Sequence, residues 1–136
     1  MAGKSRAGIL FRSISTSERI ADLGVKGALV YTWLIAHCDD QGRITGNARR
    51  IKALVVPLMT EINEEDVERA LQTMWRERLV ILYPDPNTGR DLIQVADWWE
   101  YNSGLRIIRA SRYSPPPSWK DRPATARDEM GRFRGS

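Results

Sequence analysis

Hydrophobic residues recur with two different periods along this chain, and the places where the period changes mark its elements. From Val25 to Cys38 the sequence is nearly all apolar. Leu29, Val30, Trp33, Leu34 and Ile35 cover most of the circumference of a helix, the pattern of an element at the centre of its domain. Asp39-Asp40-Gln41-Gly42 ends that helix, and Gly42 suits a left-handed C-terminal turn. Arg43-Ile44-Thr45 then reads as a short strand that pairs with a later hairpin. A second helix starts near Asn47, buries Ile51, Leu54 and Val55, and stops before Pro57, because the residue preceding proline is disfavoured in the helical region. A third helix carries the clearest start signal. Asn63 is a good N-cap, Asp66 occupies the third helical position, and Ile62 can staple onto Val67. Its apolar residues Val67, Ala70, Leu71, Met74 and Trp75 follow the i, i+3, i+4, i+7, i+8 spacing of one buried face. The period then drops to that of strands in LVILYP and DLIQVA, joined by Pro86-Asn87-Thr88-Gly89 as turn.

The flanks are weaker. Ser15-Thr16-Ser17-Glu18 matches a capping box with Ser15 as N-cap, opening a short helix through Ile20 and Leu23 that stops near Gly24. Asp97-Trp98-Trp99-Glu100-Tyr101-Asn102 is aromatic-rich and is expected to pack back on the domain, with the Trp98/Trp99 region still exposed. From Ser103 the chain turns to Ser, Arg and Pro, including Pro115-Pro116-Pro117, and reads as an extended or disordered tail. The predicted organisation is an N-terminal arm (1–14), a domain (15–102) and a basic, partly disordered tail (103–136). The predicted core is Leu29, Trp33, Leu34, Ile51, Leu71, Met74, Trp75, Leu79 and Val95. Helix, helix, helix, hairpin is the order of a winged helix-turn-helix, so the fold class is mainly α with a small β-hairpin, α+β. Such domains mostly bind DNA or dock onto replication and transcription machinery.

Charge sharpens the picture. The net charge of the 136 residues is +4, but it is unevenly spread. Residues 1–102 hold 13 Lys/Arg against 14 Asp/Glu, a net of −1, and residues 103–136 hold 8 against 3, a net of +5. A chain ending at Asn102 is therefore predicted to keep its fold and lose most nucleic-acid affinity, with residues 103–122 mobile until a partner orders them. Arg106, Arg109 and Arg112 recur every three residues with Tyr113 and Trp119 near them, a spacing suited to tracking a phosphate backbone and stacking on unpaired bases. The bland alternative is a solubilising tail. Between Gln41 and Thr60 there are Arg43, Arg49, Arg50 and Lys52 and no acid. Arg49, Arg50 and Lys52 are candidate phosphate contacts, against an ordinary solvated helix face. On the third helix Arg69, Gln72 and Arg76 could reach base edges, although Glu64, Glu65, Asp66 and Glu68 before them repel phosphate. Arg90 beside the hairpin turn is a candidate groove or phosphate contact.

Several segments resemble the winged-helix domain of phage-type replisome organisers and DnaD-like replication initiation proteins. GALVYTWLIAHCDDQGRI looks like that family's core helix and following turn, and ARRIKALVVP like its second helix. EEDVERALQTMWRERLVILY resembles its helix-then-strand segment, and LIQVADWWEYNS followed by SRYSPPP resembles its final strand and linker. The resemblance runs from about Ser15 to Pro117. It implies a DNA-binding accessory of replication initiation, meeting duplex or single-stranded DNA and replication proteins. Many relatives carry a second domain where this sequence ends, so helicase loading is not expected of it.

Other classes fit less well. His37, the only histidine, precedes Cys38, the only cysteine, and adjacent helical positions point apart, so the pair is a poor catalytic dyad and reads as structural. Asp39 and Asp40 read as solvated turn residues without further ligands. No glycine-rich phosphate loop is present, and neither enzyme activity nor a metal or cofactor is expected. A lone cysteine precludes an intrachain disulfide and suits a reducing cytoplasm. The N-terminal apolar stretch is too short for a signal peptide, and no membrane partner is expected. Two alternatives remain open: a winged-helix adaptor for protein binding or homo-oligomerisation, and a transcriptional repressor.

Overall fold

The computed structural model describes residues 10–105 and 107–125. Much of the N-terminal arm, Arg106 and the end of the tail lie outside the described residues. A 3-10 turn (Arg12–Thr16) leads into α1 (Glu18–Ala21), α2 (Gly24–His37), β1 (Arg43–Thr45), α3 (Ala48–Val55), α4 (Glu64–Arg76), β2 (Val80–Pro84), β3 (Asp91–Val95) and α5 (Trp98–Asn102). This is the α+β class read from the sequence. No helix among the described residues is long and apolar enough to cross a membrane.

Local chemistry fixes most boundaries. Asn47 caps α3 by accepting from the Arg50 amide at 3.0 Å. At α4 the box is complete: Asn63 accepts from the Asp66 amide at 2.8 Å, and Asp66 accepts from the Asn63 amide at 3.0 Å. The end of α4 is a Schellman turn, with the Leu79 amide donating to Met74 at 2.8 Å and the Arg78 amide to Trp75 at 2.9 Å. Arg78 takes the left-handed conformation (φ 61°) that glycine usually fills there. One cap falls elsewhere than expected. Ser17, two residues after Ser15, caps α1 by accepting from Ile20, because residues 12–16 close a 3-10 turn of their own.

The three strands form one antiparallel sheet in the order β1-β3-β2. Register pairs Arg43 with Gln94 and Ile44 with Ile93 on one side of β3, and Leu82 with Ile93 and Tyr83 with Leu92 on the other. Alternation therefore sends Ile44, Ile93, Leu82, Val80 and Val95 to one face and Arg43, Gln94, Leu92, Ile81 and Tyr83 to the opposite face. The first face packs with α2, α3 and α4 around Val30, Leu34, Ile51, Val67, Leu71 and Met74, all essentially inaccessible.

The second face is also buried, and what covers it is the tail. Residues expected to be mobile lie against the sheet and the Asp39–Arg43 turn. The Arg109 amide donates to Asp40 at 2.9 Å, Ser111 donates its hydroxyl to Asp39, and Tyr83 donates its hydroxyl to the Ser114 carbonyl. Gln41 donates to the Arg122 carbonyl at 2.8 Å and accepts from the Arg122 amide at 3.2 Å. Ile108 is buried, and Arg122 stacks 4.6 Å from the Trp99 ring centroid. Beside buried Ile108, polar side chains of the domain bond the tail backbone at Arg109, Tyr113, Ser114 and Arg122. Counting apolar residues alone overlooks that contribution.

Four expected core assignments change. Trp33 and Trp75 are about half exposed (44% and 52%), Leu54 is likewise on the surface, and Leu29 is only partly buried. The buried stripe of α4 is the narrow set Val67, Ala70, Leu71 and Met74, and Trp75 turns out of it. Helix α2 is not enclosed all round, since Val25, Trp33 and His37 face outward. Conversely Trp98 is buried, and its indole N–H donates to the Asp40 carbonyl at 2.9 Å. Its ring fills the space at Gly42, where φ is +84° and an added Cβ would lie 2.5 Å from Trp98 Cγ. Gly42→Ala is thus expected to cost about 2 kcal/mol or more, from left-handed strain plus the clash, read as a lowered denaturant midpoint.

Candidate nucleic-acid interface

Helix α3 carries the first set of candidate cations. Arg49 and Arg50 are exposed, as a phosphate contact requires. Lys52 is committed elsewhere. Its ammonium donates to the carbonyls of Val56 and Met59, both at 2.8 Å, and so closes the end of the helix. Arg43 is corrected outright as part of the basic stretch, being fully buried. Its guanidinium donates to Gln94 at 2.8 Å, to the Tyr113 carbonyl at 3.0 Å, and to both carboxylate oxygens of Asp121. It is the polar hub beneath the tail.

Helix α4 presents a mixed face. Arg69 pairs with Asp66 at 3.3 Å, and Lys26 from α2 reaches the same carboxylate at 3.3 Å. The cap bond from the Asn63 backbone, aided by these cations, holds the Asp66 carboxyl below its ordinary pKa. Gln72 donates to Glu68 at 3.2 Å and Arg76 to Thr73 at 3.4 Å. Arg49 opens onto a shallow groove whose other wall is Glu64, Glu65 and Glu68. The start of α4 is therefore acidic around the one arginine nearest it, an unfavourable surface for phosphate.

The tail places its cations differently. Arg109 and Arg112 are exposed and line a groove of about 420 Å³. Its other walls are His37 at the end of α2, Ile44 and Thr45 of β1, Leu54 of α3, and Tyr113. Arg50 lies one helical turn before Leu54 on the exposed side of α3. Two carboxylates in the wall, Asp39 and Asp40, are tied inward to amides: Asp39 accepts from Gln41 at 2.9 Å and Arg43 at 3.1 Å, and Asp40 from Arg109. Burial, opposed by those hydrogen bonds, raises the Asp39 pKa. Burial also drives the Cys38 thiol well up, and its sulfur donates to the Leu34 carbonyl. Arg90 is exposed beside the β2–β3 turn. Trp119 is half-buried in the docked tail, and Arg106 lies outside the described residues.

The structure thus brings Arg109 and Arg112 up to α3. It leaves Arg69, Gln72 and Arg76 in local pairs on α4. Residues His37, Thr45 and Leu54 were not read as site residues, and no local signal marks them, because the groove exists only once the tail docks. No family model matches the chain, and no curated protein or solved structure matches it either.

Proposed function

We propose that this chain is a DNA-binding protein of winged-helix architecture, a phage-type replication-initiation accessory working in the cytoplasm. The element order supports the architecture: helix, short strand, two helices and a hairpin, with the short strand paired to the hairpin's second strand. The observation that carries the function is the position of Arg109 and Arg112, which the docked tail holds beside the exposed face of α3. These cations and Arg50 supply a phosphate-binding surface, whereas Glu64, Glu65 and Glu68 turn phosphate away from the start of α4. DNA then meets the α3–tail side, with Arg90 of the hairpin as an outlying contact. Binding through phosphates is weakly selective, so a transcriptional repressor with a strong operator preference is disfavoured. Duplexes of unrelated sequence are expected to bind with affinities within about tenfold of one another, all falling steeply with salt. A single strongly preferred sequence would favour the repressor.

An adaptor role is the second reading, favoured by the exposure of Val25 and Leu58 (each 88%) with Trp33 and Trp75. It expects self-association or partner capture without DNA. Solution mass measured with and without DNA at equal protein concentration separates the two.

A further inference from the structure

Among the described residues, the α3–tail groove has a shape that flat phosphate contacts do not require. It is concave, and its volume of about 420 Å³ falls in the range of pockets that enclose small organic ligands. Its lining is also divided. Leu54 and Ala110 are its exposed apolar positions, Tyr113 gives an aromatic ring, and Arg109 and Arg112 stand along the same groove. A duplex offers phosphates on a convex surface and keeps its base faces stacked inside. It would use the two arginines and leave the cavity empty.

We infer that this groove takes one unpaired nucleotide, its base against Leu54 and Tyr113 and its phosphate on Arg109 and Arg112. The charge of the ligand follows from the guanidiniums, which bind phosphate oxygens in a bidentate fork and whose planes can also stack on a base. Flatness follows from the aromatic and apolar walls, since every base has a π-face whatever its sequence. In the wall, Asp39 accepts from the Gln41 and Arg43 amides and the Ser111 hydroxyl, and Asp40 accepts from the Arg109 amide, so both carboxylates are engaged by donors of the turn and tail. The inference rests on the proposed DNA-binding reading and adds to it a substrate class: strands with unpaired bases, as at a melted or gapped site.

The test uses the full chain at low salt with three probes: a short oligothymidylate, an abasic strand of equal length and charge, and a duplex. Because stacking of one base is worth about tenfold in affinity, the oligothymidylate is expected to bind about tenfold more tightly than the abasic strand. Ala110→Trp, an exposed position in the wall, fills the groove and is expected to bring the two strands to equal affinity. Leu54→Trp, also at an exposed position, repeats the test independently. Duplex binding should fall less than oligothymidylate binding in both variants. Equal affinity of the parent for both strands would overturn the nucleotide site while leaving DNA binding intact. A preference that survives both substitutions would overturn it too. Failure to bind any of the three probes would remove the DNA-binding reading and this inference together.

Discussion

A chain ending at Asn102 is expected to lose a large part of its stability. The cut takes away the Ser114 carbonyl to which Tyr83 donates, and with it Asp121 and the Tyr113 carbonyl, both partners of Arg43. Arg43 has no accessible side-chain surface in the full chain, and a buried cation deprived of its partner typically costs about 3–5 kcal/mol. The point substitution Asp121→Ala isolates that pair. Asp121 is one-third exposed, so the lower end, about 3 kcal/mol, applies. Denaturant titration of the three proteins, full chain, Asp121→Ala and truncation, should rank them in that order of falling stability. An unchanged midpoint after truncation would return the tail to the status of a free appendage. The sequence-based expectation that the domain survives this cut lost its basis when the sheet proved to have two buried faces.

Leu71→Ala is expected to cost about 2–5 kcal/mol, because Leu71 is 1% exposed and borders the packed helices on one side of α4. The informative control is Trp75→Ala. Both residues belong to the same apolar repeat, and a larger ring would suggest a larger loss. Trp75 is half exposed, so its removal leaves no enclosed cavity and should cost about 1 kcal/mol or less. Equal losses would mean that α4 is rotated toward Trp75.

The contrast between those two residues shows where the sequence was readable. Asn63, Asp66 and Asn47 act within one turn of themselves, so their caps could be placed without knowing anything distant. The pairing of Arg43–Thr45 with the later hairpin was also legible, since a three-residue strand needs a neighbour and only one was available. Trp33 and Trp75 were misplaced because helical spacing gives the direction of a face but not its width. The burial of Arg43, counted among the basic residues between Gln41 and Thr60, has no local signal because its partners, Gln94, Tyr113 and Asp121, lie about fifty to eighty positions away in sequence. The docking of residues 107–125 has no local signal for the same reason. The tail's composition is that of a disordered segment, and the described residues 107–125 are held by hydrogen bonds to Asp39, Asp40 and Gln41 that no local pattern announces. Of the candidate site, the individual arginines were visible, while the groove between α3 and the tail was not.

The claim that the α3–tail side holds DNA, and that α4 does not, is tested most directly by two charge-matched variants. One replaces Arg109 and Arg112 with glutamine, and the other replaces Arg69 and Arg76 with glutamine. Each is titrated with the same duplex across a salt series beside the parent. The first is expected to weaken binding to every duplex and flatten the salt slope by about 0.9 for each phosphate left without its cation. The second should follow the parent. If the Arg69/Arg76 variant loses the affinity and the Arg109/Arg112 variant keeps it, α4 is the DNA-binding element and the groove account is contradicted.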